Sequence, residues 1–259
     1  MKETTGHTTE KRATGKKADE VVVLMEHLTK GFPGNPVLKD INLEVKRGEN
    51  VVVMGKSGSG KSVLIKCLVR LMDPDKGKLE VLGQDMTALN EEELDTVRKK
   101  IGFLFQSAAL YDSMSVRENL EFPLRLLKDI TPAEKEKRVK ESLHSVGLEK
   151  ALELMPAELS GGMRKRVGLA RSMILRPDIM LYDEPTTGLD PITAREISQL
   201  ILEVQKEYHT TSLIITHDIE CARITSNRII MLKDGLFVAE GTYKELHKSE
   251  DKWVQSFFE

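Results

Sequence analysis

Gly55-Lys56-Ser57-Gly58-Ser59-Gly60-Lys61-Ser62 is the stretch on which the reading of this chain turns. It fits GxxxxGK[ST], a pattern that chance produces in roughly one chain of this length in a hundred when glycine is about 7% of residues. Its flanks sharpen it. The run Val51–Met54 reads as a buried strand ahead of the loop, and helical periodicity opens at Lys61, runs to Leu71 and stops at Asp73-Pro74. Strand, glycine-rich loop and helix in that order gather backbone N–H groups and a helix N-terminus around one anion. Lys61 is then placed to neutralise the β- and γ-phosphates of a nucleotide, and the Ser62 hydroxyl to ligate Mg²⁺.

Working outward, Val21–Leu28, Ile41–Val45, Leu79–Leu82 and Ile101–Phe105 read as strands, with turns at Gly31–Pro36 and Arg47-Gly48 and a charged helix over Glu91–Lys100. From Ser115 to about Leu175 the period is helical, with a start signal at Thr131-Pro132-Ala133-Glu134. Strands return at Ile179–Tyr182, Ser212–Thr216 and Arg228–Leu232, with a helix over Thr193–Glu207. Strand–helix alternation at both ends predicts an α/β fold with parallel strands and an inserted helical subdomain at about 107–175. Residues 1–19, Lys/Thr/Gly-rich and poor in large apolar side chains, read as a disordered tail, and 248–259 as a short C-terminal helix.

Composition bounds the function. The chain has 259 residues, 40% hydrophobic and 31% charged, enough to bury a core without disulfides. Its mean hydropathy is −0.30, and no apolar run approaches the roughly 20 residues of a membrane span. No signal-peptide core follows the N-terminus, so a cytoplasmic chain is expected. Thirty-nine Lys+Arg against 41 Asp+Glu leave a net charge of −2, with no basic excess to suggest nucleic acid. Cys67 and Cys221 form no ligand spacing and read as small buried hydrophobes, and the six histidines form no HxxxH or HExxH pair.

A phosphate loop needs carboxylates at a neighbouring strand end, and Ile179-Met180-Leu181-Tyr182-Asp183-Glu184 supplies them. Asp183 suits a magnesium shell, and Glu184, one residue on, suits the polarisation of an attacking water. His217 closes the strand Ser212–Thr216, where it can meet a γ-phosphate or that water. Gln106 closes Ile101–Phe105, where an amide can bridge metal and water. Ser160-Gly161-Gly162 precedes a helix and again offers free N–H groups to an anion.

With Leu159-Ser160-Gly161-Gly162-Met163, Thr187-Gly188-Leu189-Asp190 and His217, the order and spacing of these motifs over residues 21–247 resembles the nucleotide-binding subunit of ABC transporters. The resemblance implies a P-loop NTPase core of the ABC ATPase type, residues 20–247, with an N-terminal antiparallel β-subdomain. It also implies ATP and Mg²⁺ as cofactors and a head-to-tail homodimer enclosing two ATP molecules. Each ATP would touch Lys61 and Ser62 of one chain and Ser160 and Gly162 of the other, with Asp190 at the same boundary. Phe32 falls where the family sets an aromatic ring against adenine. Met163 where most members carry Gln, and Phe32 for the commoner Tyr, depart from the family pattern without removing a group that hydrolysis needs.

Met163, the segment Phe103–Leu124 and Gly60-Lys61-Ser62-Val63 are similar to the ATPases of Mla and Mce-associated lipid transport systems. This implies a peripheral subunit on the cytoplasmic face of the inner membrane. Its partners would be an integral permease and, through the permease, a periplasmic Mce-domain protein; its cargo would be phospholipid. An amino-acid importer, a lipoprotein exporter or a soluble iron–sulfur assembly ATPase remain the alternatives. The apolar residues Ala108–Tyr111 are expected to help form a groove for a permease helix, and Trp253 and Phe257, at i,i+4, to dock one helix face on their own domain.

Overall fold

The computed structural model describes residues 19–127 and 129–258, so residues 1–18 of the expected tail lie outside the described residues. Strands β1 (Val21–Phe32) and β2 (Asn35–Lys46) form a hairpin longer than its sequence suggests, because pairing continues to Phe32 opposite Asn35. Only Pro33-Gly34 is left to turn, with Gly34 at φ 75°. Strand β3 (Asn50–Met54) opens a second sheet. Strands β4 (Lys76–Val81) and β5 (Gln84–Asp85) return to the first, giving an antiparallel sheet of order β2-β1-β4-β5.

The second sheet takes β6 (Ile101–Leu104), β7 (Ile179–Asp183), β8 (Thr211–Thr216), β9 (Arg228–Lys233) and β10 (Leu236–Gly241), in the order β10-β9-β3-β8-β7-β6. All its pairs are parallel except β10 with β9. Its central strands are buried on both faces, as parallel strands between layers must be. Val52, Met54, Met180, Tyr182 and Ile214 face one core; Val51, Val53, Leu181, Leu213 and Ile215 face the other.

The second of these cores is closed by the antiparallel sheet and by helices α1 (Lys61–Leu68) and α2 (Glu91–Arg98). The first is covered by α3 (Val116–Leu124), α4 (Pro132–His144), α5 (Gly161–Met173), α6 (Pro191–Tyr208), α7 (Ile219–Thr225), α8 (Tyr243–His247) and α9 (Lys252–Gln255). Chain signals set several starts. Thr131 accepts from Glu134 N–H with Pro132 in the first turn, and Ser115 and Glu118 close a reciprocal box at α3.

Several boundaries depart from the sequence reading. Helix α1 ends at Leu68 because Arg70 turns left-handed (φ 52°) and its guanidinium bonds the carbonyls of Met86 and Leu89. Strand β6 stops at Leu104, leaving Phe105 to stack on Phe103 at 4.0 Å. The helical stretch is three helices with 3₁₀ turns at Glu149–Ala151 and Pro156–Glu158 between the last two. The C-terminal helix is confined to Lys252–Gln255; its Trp253 and, just beyond it, Phe257 meet edge-on at 4.9 Å against the protein's own core. Burial raises both cysteine thiols, Cys67 to about 11 and Cys221 to about 12, so neither is reactive near neutral pH. Among the described residues no helix is long and apolar enough to cross a membrane.

Candidate functional site

Three neighbouring strands, β3, β8 and β7, run parallel, so their carboxyl ends share one rim. β3 delivers the glycine-rich loop. At Gly55 a Cβ would lie 2.4 Å from the Leu232 carbonyl oxygen and 2.6 Å from Ser59 Oγ, so no larger residue fits without displacing β9. Gly60, at φ 109°, turns the chain into α1 in a conformation that L side chains rarely adopt. Lys61, first in that helix, is 7% exposed. Its Nζ donates to the carbonyls of Gly55 (2.7 Å) and Lys56 (3.2 Å) and lies 3.7 Å from Glu184 Oε1. Burial pulls the Lys61 pKa down, opposed by the charges of Glu184 and Asp183.

Asp183 is the last residue of β7 and is buried, with its Oδ1 accepting a long hydrogen bond (3.5 Å) from Ser62 Oγ. Burial, and then the charge of Glu184, raises its pKa. A carboxylate held at such a cost beside a hydroxyl is the donor set a hard divalent cation takes, provided other oxygens complete the shell. The protein does not complete it: among the described residues no group of three His, Cys, Asp or Glu surrounds a common point.

Glu184 steps off the strand in a left-handed conformation, φ 49°, which a residue with a Cβ holds only when its surroundings compel it. Its N–H donates to the Ile215 carbonyl at 2.8 Å. Its Oε2 lies 2.8 Å from His217 Nδ1 and accepts from Thr187 Oγ1 at 3.2 Å. The His217 side chain is 60% exposed while that of Glu184 is 11% exposed. A buried carboxylate thus carries an imidazole that reaches into the open.

These groups border one cavity of about 660 Å³. Of the residues singled out in the sequence, Phe32, Lys56, Ser57, Gly58, Gly60, Lys61, Ser62, Val63, Gln106, Glu184 and His217 line it. Gly55, Ser59 and Asp183 support its floor without lining it, Gly55 against Ser59 and Asp183 against Ser62. Gln106 reaches the cavity from two residues beyond the end of β6, rather than directly from a strand end.

Ser160, Gly161, Gly162 and Asp190 are not among the lining residues. They form a second surface where the starts of α5 and α6 meet: a Cβ on Gly162 would lie 2.6 Å from Thr193 Cγ2. Ser160 Oγ accepts from Met163 N–H, and Asp190 caps α6 through Ile192 N–H, Thr193 N–H and Thr193 Oγ1. The Thr193 hydrogen bonds hold the Asp190 carboxyl below the usual range.

A groove of about 600 Å³ lies between α2, β6 and α3, lined by Phe103, Phe105, Ala109, Tyr111, Phe122 and Leu126 among others. Ala109 and Tyr111 fall on it, but Ala108 and Leu110 do not, and Leu110 packs against the core instead. Ala108 is 2% exposed and faces Gly168 of α5, where an added Cβ would lie 2.9 Å from its own. Sequence reading missed Asn35, Val37 and Phe257 in the cavity and Lys165 beneath it. Asn35 and Val37 arrive through the hairpin pairing, and Phe257 arrives from the chain's far end, just beyond α9, so no local motif marks them. Lys165 lies in a charged run, Arg164-Lys165-Arg166, that resembles a solvated face until its 5% exposure is known.

The profile of the ABC transporter family matches residues 38–187. The methionine import ATP-binding protein of Rhizobium etli is 40% identical over 224 residues, 86% of this chain; the match spans 62% of that relative's own length. The intermembrane phospholipid transport system ATP-binding protein of Haemophilus influenzae is 39% identical over 225 residues, covering 86% of this chain and 85% of that one. Among solved structures, the dimeric post-hydrolysis state of an ATP-binding cassette bound to ADP and Pi superimposes with a TM-score of 0.78 at 36% identity. It covers 85% of this chain and 98% of that one.

Proposed function

The chain belongs to the ABC transporter family, and from that premise we propose that it is an ATP-hydrolysing subunit that powers a membrane permease. The observation that carries this reading is the meeting of Lys61, Ser62, Asp183, Glu184 and His217 on one strand-end rim. In this reading the N–H groups of residues 57–62 and the α1 N-terminus hold the phosphates, and Lys61 turns from the loop carbonyls to the β- and γ-phosphates. Phe32 packs its ring on the base. Ser62 and Asp183 fit a magnesium ion, whose chemistry is to neutralise the phosphate oxygens; Gln106 borders the same space.

Glu184 takes a proton from water as the water oxygen attacks the γ-phosphorus and the bond to the bridging oxygen breaks, releasing ADP and phosphate. His217 fixes the Glu184 carboxylate and presents its exposed edge to the γ-phosphate. Ser160, Gly161, Gly162 and Asp190 serve the site of a second copy, as their position outside the cavity and the dimeric form of the solved relative support. In this reading the aromatic groove takes a helix of the permease, and the chain sits peripherally on the cytoplasmic face of the membrane; the aromatic lining of the groove supports this.

For cargo we favour phospholipid, in a system with a Mce-domain partner. The segment Phe103–Leu124 supports this, as does the phospholipid-system relative, matched over 85% of its length. Methionine import is the second reading, supported by the equally similar importer subunit. The test is a detergent pull-down at native expression level with mass spectrometry of proteins and lipids. A permease, a Mce-domain protein and bound phospholipid are expected; a methionine-type permease would replace the cargo assignment, and soluble partners alone would end the transporter role.

A further inference from the structure

Lys165 sits on α5, five residues beyond Ser160, and is 5% exposed. Its Nζ donates to two backbone carbonyls from different strands: that of Gln106, beyond β6, and that of Glu184, beyond β7, the latter at 3.2 Å. Both acceptors belong to unusual backbone. Glu184 is left-handed at φ 49°, and Gln106 leads into Ala108 and Ala109 at φ 61° and 49°. Burying an ammonium costs free energy unless it is paired and hydrogen-bonded. Two carbonyls and the nearby charges of Asp183 and Glu184 offset part of that cost, and burial still outweighs the two charges. A Leu or Met would fill the same space without linking anything.

The loop that begins at Gln106 is fastened to α5 elsewhere too. Arg171 donates to the Ala108 carbonyl at 3.0 Å, and Ala108 packs on Gly168 too closely for any side chain there. The loop therefore rides on α5 instead of hinging freely against it. Lys165 is the one member of this set that also holds the end of β7.

We infer that Lys165 is a positioning residue that ties the Ser160 helix and the Gln106 loop to the peptide of Glu184, so that the base is correctly aimed only when α5 is seated. The inference rests on the ATPase reading above. Lys165 does not line the cavity and donates to backbone carbonyls. It fixes where the Glu184 peptide lies, and through it the carboxylate that His217 and Thr187 hold from the other side.

The experiment compares the full chain with Lys165→Met, Lys165→Arg and Glu184→Gln, measuring ATP turnover, ATP affinity and Tm. Lys165→Met is expected to lower kcat about tenfold or more while the ATP Kd stays within about twofold, because the lost contact acts on the reacting geometry and not on binding. Lys165→Arg, which can donate to both carbonyls, is expected to return kcat to within about threefold of the parent. A Lys165→Met kcat equal to the parent's overturns the inference. So does a parallel fall in kcat, affinity and Tm with no recovery in the Arg variant, since that is the pattern of a merely structural lysine. If the parent chain shows no turnover, or Glu184→Gln turns over normally, it is the ATPase reading that fails instead.

Discussion

His217 Nδ1 and Glu184 Oε2 stand 2.8 Å apart across two adjacent strand ends, and the His217 N–H approaches the same oxygen at 3.4 Å. The carboxylate is held at one oxygen, while the other faces Lys61 at 3.7 Å. Glu184→Gln keeps the shape and removes the base. Turnover is expected to fall by about a hundredfold or more with ATP affinity retained. Stopped kinetics and nucleotide titration on the same preparation decide it, and normal turnover would remove Glu184 from the role.

Asp183 gives a pH dependence with a definite sign. Burial and Glu184 raise its pKa in the fold. The stability this carboxyl contributes is therefore fully present below its unfolded pKa and is lost as pH rises through the raised folded value. At neutral pH the nucleotide-free chain carries a buried charge that Asp183→Asn removes. The variant is expected to melt a few degrees higher than the parent at pH 7, the gap closing as pH falls toward about 4. Its gain in Tm on adding Mg²⁺ and ATP should shrink. A gap independent of pH, or one of opposite sign, would refute the assignment.

Phe32 is 45% exposed and lines the cavity. Loss of the ring in Phe32→Ala is expected to weaken ATP binding about two- to tenfold, the range of one aromatic stacking contact. Saturating turnover should be nearly unchanged, and Phe32→Tyr should behave as the parent. Titration with ATP and with inorganic triphosphate separates the cases: only the nucleotide should lose affinity.

Gly102 tests how tightly β6 is seated on α5. A Cβ there would lie 2.3 Å from Met180 Sδ and 2.5 Å from the Ser172 carbonyl oxygen. Gly102→Ala must push β6 from α5 or bend Met180, and is expected to destabilise the fold by about 1–3 kcal/mol in urea unfolding. An unchanged midpoint would mean that β6 is less tightly seated than its contacts imply.

How much of this was legible in the sequence follows the range of the interactions. The loop 55–62, the acids at 183 and 184 and His217 were readable because each marks a strand end by itself. The strands Gln84–Asp85 and Leu236–Gly241 were not: the first has two residues, and the second is an edge strand whose sequence, Leu-Phe-Val-Ala-Glu-Gly, sets four apolar residues in a row and so hides the alternating exposure of its side chains. Helix α7 was missed although Asp218 caps it through Glu220 and Cys221 N–H, since seven residues carry too little periodicity to count. Ala108 read as groove and proved to be core because its left-handed backbone turns it toward Gly168, a choice made by α5 and not by its neighbours in sequence. Lys165 was hidden for the same reason.

The central strands bury apolar side chains on both faces. A one-residue slip, which elsewhere would expose a hydrophobic row to water, would here exchange one greasy neighbour for another. The faces therefore cannot keep the strands in step; the rims must. At the amino rim Gly48 N–H meets Thr211 Oγ1, Asn50 N–H meets Asn227 Oδ1, and Thr211 N–H meets the Asp178 carbonyl. These polar locks, on the edge farthest from the phosphate loop, act as alignment pins: a fault there would misplace every group at the opposite rim by one residue while leaving the core's oiliness intact.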